Sequence, residues 1–169
     1  MYIRDTIILG VVSSIIASLV FYLLMVLIKP KFIIADKICL KKVNNDEWDY
    51  IIKVVNLTHS FITNIDYSLI YCIEGKDGLK DIQTIKPHKE IIRNISKYSH
   101  KNTDYAVRLT FRINKEKYVL NENSHFIFTF QAYHSFSNAM KISKKVYGKD
   151  DLHEGIYETG KSTKILSNR

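Results

Sequence analysis

The sequence contains little cysteine and little proline, and it has no internal repeat or low-complexity tract. Its two cysteines, Cys39 and Cys72, fall in separate predicted strands, and two cysteines do not make a disulfide framework. We therefore predict two small, half-buried thiols in a reducing compartment. Because Pro30 and Pro87 are the only prolines and Ile, Tyr and Phe are abundant, the composition favours an ordered, β-rich chain over a disordered one.

Recognisable catalytic and cofactor constellations are also missing from the sequence. No G-x-S-x-G motif occurs, and no pair among the six histidines has the spacing of metal ligands. The acidic groups Asp46-Glu47-Asp49 and Asp150-Asp151 fall in predicted turns, where short polar side chains satisfy backbone amides. We therefore predict no enzyme activity, no cofactor and no metal site.

One segment matches a nucleotide-binding motif letter for letter. Gly155-Ile-Tyr-Glu-Thr-Gly160-Lys161-Ser162 satisfies the pattern G-x-x-x-x-G-K-[ST]. A phosphate-binding loop, however, leaves a buried parallel strand and opens a helix whose amides hold the phosphates, and only seven residues follow Ser162. We assign the segment to the last strand and its tail, and we predict no nucleotide binding.

Positive charge is in excess, with 25 Lys and Arg against 17 Asp and Glu and a formal net charge of +8. The densest basic groups are Lys29, Lys31, Lys37, Lys41 and Lys42, and then Lys141, Lys144 and Lys145. No aromatic stacking motif or recognition helix accompanies this charge, so we predict that nucleic acid is not a partner. Attraction to anionic lipid head groups explains the first group at least as well as nucleic acid does. This attraction contributes roughly 1 kcal/mol of binding free energy for each base near the membrane.

Residues Thr6 to Ile28 form a run of 23 residues without a charge. A helix of this length spans about 34 Å, enough for the hydrocarbon core of a bilayer. The run continues into Lys29-Pro30-Lys31 without a small-residue cleavage site, so we predict an uncleaved transmembrane helix rather than a signal peptide. The predicted divisions are a flank at 1–5, the helix at 6–28, a linker at 29–31, a β domain at 32–160 and a tail at 161–169.

The basic residues on the two sides of the predicted helix differ in number. The N-terminal side offers Arg4 and the amino terminus, whereas the five lysines from Lys29 to Lys42 follow the helix as a basic flank. The positive-inside rule then places the β domain in the cytoplasm and the short N-terminus outside. The predicted location is the plasma (inner) membrane, crossed once.

Small residues lie along one side of the predicted helix. Gly10, Ser14 and Ser18 are spaced by four, and Ser13 and Ala17 flank the same face. Such a stripe allows two helix backbones to approach closely, and serine hydroxyls can hydrogen-bond across the contact for about 0.6 kcal/mol each. We predict a homo-oligomer formed through the helix. The alternative is that membrane helices simply tolerate these residues.

After Pro30 the sequence alternates between apolar and polar residues, as half-buried antiparallel strands do. The clearest example is Tyr105 to Ile113, and His125 to His134 repeats the pattern with two fairly apolar faces, which favours a central strand. Further predicted strands are Phe32 to Val43, Asp49 to Asn56, Ile65 to Glu74, Leu79 to Ile85, Ala139 to Tyr147 and Leu152 to Thr159, whereas Lys89 to Thr103 is ambiguous. Many short strands separated by turns favour an immunoglobulin-like antiparallel sandwich, with a small β-barrel as the alternative.

The end of the predicted β domain carries a resemblance to known proteins. The run from His134-Ser-Phe-Ser to Tyr147, followed by Leu152-x-x-Gly155-x-Tyr157, resembles the terminal strands of uncharacterised small bacterial proteins with one membrane helix and a cytoplasmic β-sandwich. The spacing of Tyr147, Leu152 and Gly155 is also similar to that in the sheet of inward-rectifier channel cytoplasmic domains. Both resemblances cover the last quarter of the chain. They imply a single-pass β protein, and no conducting role, because nothing resembles a channel filter.

Together these patterns predict a membrane-anchored β-sandwich that binds an unidentified protein or ligand partner. An accessory or effector protein of a bacterial system such as phage defence fits this description. The alternative hypothesis is an effector whose oligomerised helices perturb the membrane and whose β domain gates that event. A third hypothesis is an extracytoplasmic assembly or adhesion domain. The lipid bilayer is the partner that the sequence identifies by its chemistry.

Overall fold

A computed structural model describes residues 2–44, 46–75, 78–89, 91–114 and 117–167, and shows a mostly β-sheet protein with one N-terminal apolar helix. Met1 of the predicted flank and residues 168–169 of the predicted tail lie outside the described residues. The elements are α1 (Tyr2–Leu27), β1 (Phe32–Ile34), β2 (Ile38–Lys42), β3 (Glu47–Asn56), β4 (Ile62–Glu74), β5 (Lys80–Ile85), β6 (Asn94–Ile95), β7 (Ala106–Asn114), β8 (Ser124–His134), β9 (Met140–Tyr147), a 3-10 helix (Lys149–Asp151), β10 (Leu152–Glu154), β11 (Ile156–Tyr157) and β12 (Ile165–Leu166).

Helix α1 is apolar along most of its length. Its segment Thr6–Leu27 has a mean hydropathy of 2.6, is not buried by the rest of the described chain, and is long and apolar enough to cross a membrane. The amide of Ile28 donates to Leu24 O at 3.2 Å and extends the helical hydrogen bonds by one residue. The helix ends there because a residue that precedes proline, here Lys29 before Pro30, disfavours helical backbone angles.

The first sheet, sheet A, places β3 at its centre. β7 pairs with one edge of β3, and β1 and β2 both pair with the other edge. Phe32 lies opposite Asn56 and Cys39 lies opposite Ile51, so seven residue steps on one side match five on the other. The predicted strand Phe32 to Val43 is therefore two strands, with two extra residues accommodated between them. The break turns the carbonyl of Ala35 toward the Tyr147 hydroxyl, which donates to it at 2.7 Å.

The second sheet, sheet B, has the order β5, β4, β8, β9, and β6 pairs with the same edge of β4 as β5 does. All its pairings are antiparallel. The register of β4 against β8 shifts between Thr63 and Asp66, at a bulge where Asn64 has a φ of +47°. β4 therefore begins at Ile62 rather than at the predicted Ile65.

The inner faces of the two sheets share one hydrophobic core. Aromatic rings meet edge to face across it, with centroid distances of 4.9 Å for Phe32–Phe130, 5.6 Å for Tyr50–Phe126 and 6.2 Å for Phe111–Phe128. Each pair of this kind contributes about 0.5–1.5 kcal/mol beyond the burial of its area. Alternate residues of β8 are buried from Ser124 to His134, as the sequence pattern predicts for this strand.

The outer faces of the two sheets differ. β10 adds to β2 in parallel, and β11 and β12 then form a hairpin against the outer face of sheet A. The predicted strand Leu152 to Thr159 is interrupted at Gly155, whose φ is +151°. β12 lies within the predicted tail. On the outer face of sheet B, Ile142 and Val146 remain more than half exposed.

Candidate functional site

The small residues of the predicted self-association stripe lie exposed on α1. At 100° per residue Gly10, Ser14 and Ser18 fall within one side of the helix, flanked by Ser13 and Ala17. A Cβ added at Gly10 would meet nothing within 4 Å. The Ser13 hydroxyl donates to Gly10 O at 3.0 Å and is thus paired inside the helix. The stripe therefore presents a shallow surface, on which a second helix could pack.

The five lysines of the predicted basic flank are exposed but do not lie together. Lys29 and Lys31 follow the end of α1, and Lys37 lies in the break between β1 and β2. Lys41 and Lys42 lie at the far end of β2, eight residues along β3 from the point where β1 begins to pair. Eight residues of strand correspond to about 25 Å. The fold thus places two of the five lysines at the end of the helix.

The end of α1 meets the β domain at a cleft that we call the junction cleft. It has a volume of about 610 Å³ and is lined by Leu27 to Lys29, Lys31, residues 57–60 of the β3–β4 loop, His134 and Phe136. The Lys31 amide donates to Thr58 Oγ1 at 2.8 Å, and the Thr58 hydroxyl donates back to Lys31 O at 3.2 Å. The Ser137 hydroxyl donates to Ile28 O. These bonds attach both loops to the chain that leaves the helix.

The β8–β9 loop is held in shape by His134. The Nδ1 atom of this buried side chain accepts from the amides of Phe136 and Ser137 at 3.3 and 3.2 Å. Burial lowers the pKa of His134, which favours the neutral ring that can accept at Nδ1. Phe136 at the tip of the loop is 63% exposed beside the helix end. Phe136 was not predicted as a site residue from the sequence. The feature that could have indicated it is a large aromatic side chain within the turn-like run Ser135 to Ser137.

The segment that matches the nucleotide-binding motif wraps around a buried lysine. Lys53, on the outer face of sheet A, is 2% exposed, and its Nζ donates to Glu158 O and Ser162 O, both at 2.6 Å. Burial lowers the pKa of Lys53, and the positive charge of Arg108 adds to this, against the opposing carboxylate of Glu158. The segment thus presents carbonyl oxygens to a cation. That polarity is the opposite of a phosphate-binding loop, which presents amides.

Both cysteines are buried free thiols, Cys39 in sheet A and Cys72 in sheet B. The Cys39 thiol donates to Gly155 O at 2.9 Å, and burial raises its pKa, so it lacks the thiolate character of a reactive cysteine. Within the described part of the chain, no group of three or more His, Cys, Asp or Glu side chains could hold a metal ion.

The junction cleft is the place where an apolar surface, two exposed lysines and loop hydroxyls come together. Its lining consists of apolar side chains, the two lysines, the imidazole rings of His59 and His134, and the hydroxyl side chains of Thr58 and Ser60. Comparison with known proteins assigns no family, since no protein-family model and no curated protein matches this chain.

Proposed function

We propose that the chain is a membrane-anchored interaction module. In this proposal α1 crosses the plasma membrane once, and the β domain binds a protein or ligand partner on the cytoplasmic side. The observation that carries it is the exposure of α1, whose large apolar side chains from Ile7 to Leu27 lie mostly open along the described helix. A bilayer would cover this surface. In water, each exposed CH₂ group would lose about 0.8 kcal/mol of favourable transfer free energy.

The contacts at the junction cleft support an anchor that is retained. A signal sequence is removed, and its removal would break the hydrogen bond from Ser137 to Ile28 and the apolar contact that Leu27 and Ile28 supply to the cleft. The loops of the β domain are shaped to receive the helix end. This favours a mature protein in which the helix stays joined to the β domain.

We further propose that sheets A and B form an immunoglobulin-like sandwich rather than a closed barrel. The chain crosses between the sheets at β3–β4, β6–β7, β7–β8 and β9–β10, which suits two facing sheets. A closed barrel needs a continuous hydrogen-bonded ladder, whereas among the described residues one isolated bridge, Pro87 with Phe111, joins the two sheets.

Alkaline carbonate extraction of membranes that contain the full chain tests the anchor. We expect the protein to remain in the membrane pellet, and release into the supernatant would overturn the proposal. Because Cys39 and Cys72 are buried, sidedness is best tested with Lys144→Cys, at an exposed position in β9. An impermeant thiol reagent should label this variant only in lysed cells, with the unsubstituted chain as the background control. Labelling in unlysed cells would place the domain outside.

Self-association through the stripe is a separate part of the proposal. Gly10→Ile with Ser14→Ile should shift the detergent-solubilised protein toward the monomer in light scattering, because the added side chains keep the backbones apart. Val12→Phe with Ile16→Phe adds bulk to the opposite side of the helix and serves as the control. If both pairs of substitutions act alike, or neither acts, the stripe is not the contact.

A second candidate function is permeabilisation of the membrane by paired helices that the β domain gates. The observation that favours it is the contact of the β8–β9 loop with the end of α1, which would transmit a change in the domain to the helix. Overexpression should then depolarise cells, and Gly10→Ile with Ser14→Ile should prevent this. An unchanged membrane potential with the unsubstituted chain would favour the binding module.

A further inference from the structure

The junction cleft has one apolar wall and one basic wall. One wall is formed by Leu27 and Ile28 of the helix end together with Leu57 and the exposed ring of Phe136. The apolar wall continues directly into the exposed apolar surface of α1. In a chain anchored by this helix, the wall would lie where acyl chains meet head groups, which is where exposed aromatic residues are typically found in membrane proteins.

The other wall of the cleft is basic. Lys29 and Lys31 contribute exposed side chains, His59 lies beside them, and none of the described residues that line the cleft is acidic. Among the described carboxylates, none lies within 4 Å of either ammonium group. The cleft therefore offers two cations that no carboxylate of the described residues neutralises at this distance.

Hydrogen bonds hold the loops that line the cleft in place. The hydroxyls of Ser60 and Ser135 lie 2.6 Å apart and join the β3–β4 loop to the β8–β9 loop. His134 fixes the backbone that carries Phe136, and Thr58 fixes the backbone at Lys31 through two hydrogen bonds. Preorganised loops lose little conformational entropy on binding, so this geometry favours a specific ligand over diffuse attraction.

We propose that the junction cleft binds the head group of one acidic phospholipid, in the membrane leaflet that faces the β domain. The phosphate pairs with Lys29 and Lys31, and the acyl chains lie along Leu27, Ile28 and Phe136. A soluble anion would use the two lysines but leave the apolar wall empty, so the continuity of this wall with α1 selects a lipid. This proposal rests on the membrane anchor and adds a ligand to it.

The test uses the full chain in nanodiscs of phosphatidylcholine with a minor fraction of phosphatidylglycerol, followed by transfer to detergent and quantification of the lipid that stays bound. At about fivefold for each lysine, the pair predicts roughly 25-fold enrichment of phosphatidylglycerol over its bulk fraction. Lys29→Gln with Lys31→Gln should remove the enrichment. Lys41→Gln with Lys42→Gln makes the same charge change about 25 Å away and should leave it intact.

Three outcomes would overturn the proposal. The first is a lack of phosphatidylglycerol enrichment in the unsubstituted chain. The second is an equal loss of enrichment with both pairs of lysine substitutions, which would indicate diffuse charge. The third is displacement of the lipid by millimolar glycerol phosphate, which would indicate a soluble anion. Phe136→Ser should lower retention of the lipid without unfolding the domain, since this ring is exposed. Failure of the chain to enter nanodiscs would instead count against the membrane anchor. Nanodiscs present the same lipids on both faces, so an orientation reversed in the cell does not alter the result.

Discussion

The outer faces of the two sheets differ in what covers them. The outer face of sheet A lies beneath the β11–β12 hairpin, where Cys39 and Tyr157 are buried and Lys53 is surrounded by protein. The outer face of sheet B keeps Ile142 and Val146 more than half exposed. A covering segment can thus bury even a lysine when it supplies carbonyl oxygens, whereas an uncovered face leaves apolar side chains in solvent.

The largest effect is expected from Gly155→Ala. A Cβ at this position would lie 2.2 Å from Leu166 O, and the φ of +151° disfavours any side chain, so the hairpin must move. We expect the free energy of unfolding to fall by about 3 kcal/mol or more. Denaturant unfolding of the full chain in detergent measures it, and faster thiol labelling of Cys39 would report that its cover has lifted.

Gly148→Ala is the matched control for Gly155→Ala. Gly148 has a φ of −92°, and the nearest atom to a Cβ added there is Asp151 Oδ2 at 3.9 Å, so alanine fits. If the two substitutions change stability equally, the hairpin is not tied to sheet A as described and the contrast between the faces fails.

The next effect is that of Lys53→Met. The substitution leaves the carbonyls of Glu158 and Ser162 without their shared donor, and we expect a loss of about 2 kcal/mol in the free energy of unfolding. Lys144→Met, at an exposed lysine of sheet B, should change it by less than about 0.5 kcal/mol. Equal effects in the same denaturation experiment would show that the cover over Lys53 contributes nothing.

The pH dependence of stability distinguishes two buried bases, Lys53 in sheet A and His134 at the end of β8. Burial lowers the pKa of both, so the unfolded chain binds more protons and the free energy of unfolding rises with pH up to the ordinary pKa, 6.5 for His134 and 10.5 for Lys53. The His134 contribution is complete above pH 6.5 and is lost as the pH falls toward the folded pKa.

Subtracting variants isolates these contributions. His134→Asn keeps an acceptor for the loop amides but does not titrate, so the difference in the free energy of unfolding between the unsubstituted chain and this variant should fall as the pH falls from 7 to 5. The corresponding difference for Lys53→Met should rise with pH up to the ordinary lysine pKa of 10.5. A difference for His134→Asn that does not vary with pH would show that the histidine titrates alike in the folded and unfolded chains.

The smallest effect is expected on the open face. Ile142→Thr and Val146→Thr should each change the free energy of unfolding by less than about 0.5 kcal/mol, because both side chains are already largely in water. Ile51→Thr, under the hairpin, should cost about 1–2 kcal/mol. Large losses of unfolding free energy on both faces would mean that a partner covers the outer face of sheet B in solution. That partner would then have to be identified.

Local patterns predicted the local parts of the fold. Alternation placed the strands at Tyr105 to Ile113 and His125 to His134 within one residue of β7 and β8, because a strand with one buried face shows its period in sequence. The parallel pairing of β10 with β2 and the strand β12 in the predicted tail were not predictable this way. The first pairing joins segments 114 residues apart, and β12 is a two-residue strand, too short to show a period, whose partner β11 lies eight to ten residues earlier.

The candidate site shows the same division between local and distant information. Sequence proximity placed all five flank lysines beside the helix, but β2 runs away from the helix and carries Lys41 and Lys42 to the other end of sheet A. The junction cleft needs three separate segments, ending at Lys31, Ser60 and Phe136, to meet in space. No single window of sequence contains them, which is why the helix and its charge were recognisable and the cleft was not.

The pairing of β10 with β2 sets a schedule for synthesis of the protein. Ile38 can pair only after Leu152, which lies 114 residues later in the chain, has been synthesised. The Cys39 thiol likewise can donate its hydrogen bond only after Gly155 has been synthesised. At ordinary translation rates this interval is roughly 6 to 23 s. Throughout this interval the edge of β2 that later pairs with β10 is uncovered in the nascent chain. An unpaired strand edge is a template for association with other chains, so this edge is the part of sheet A most exposed to mispairing during synthesis.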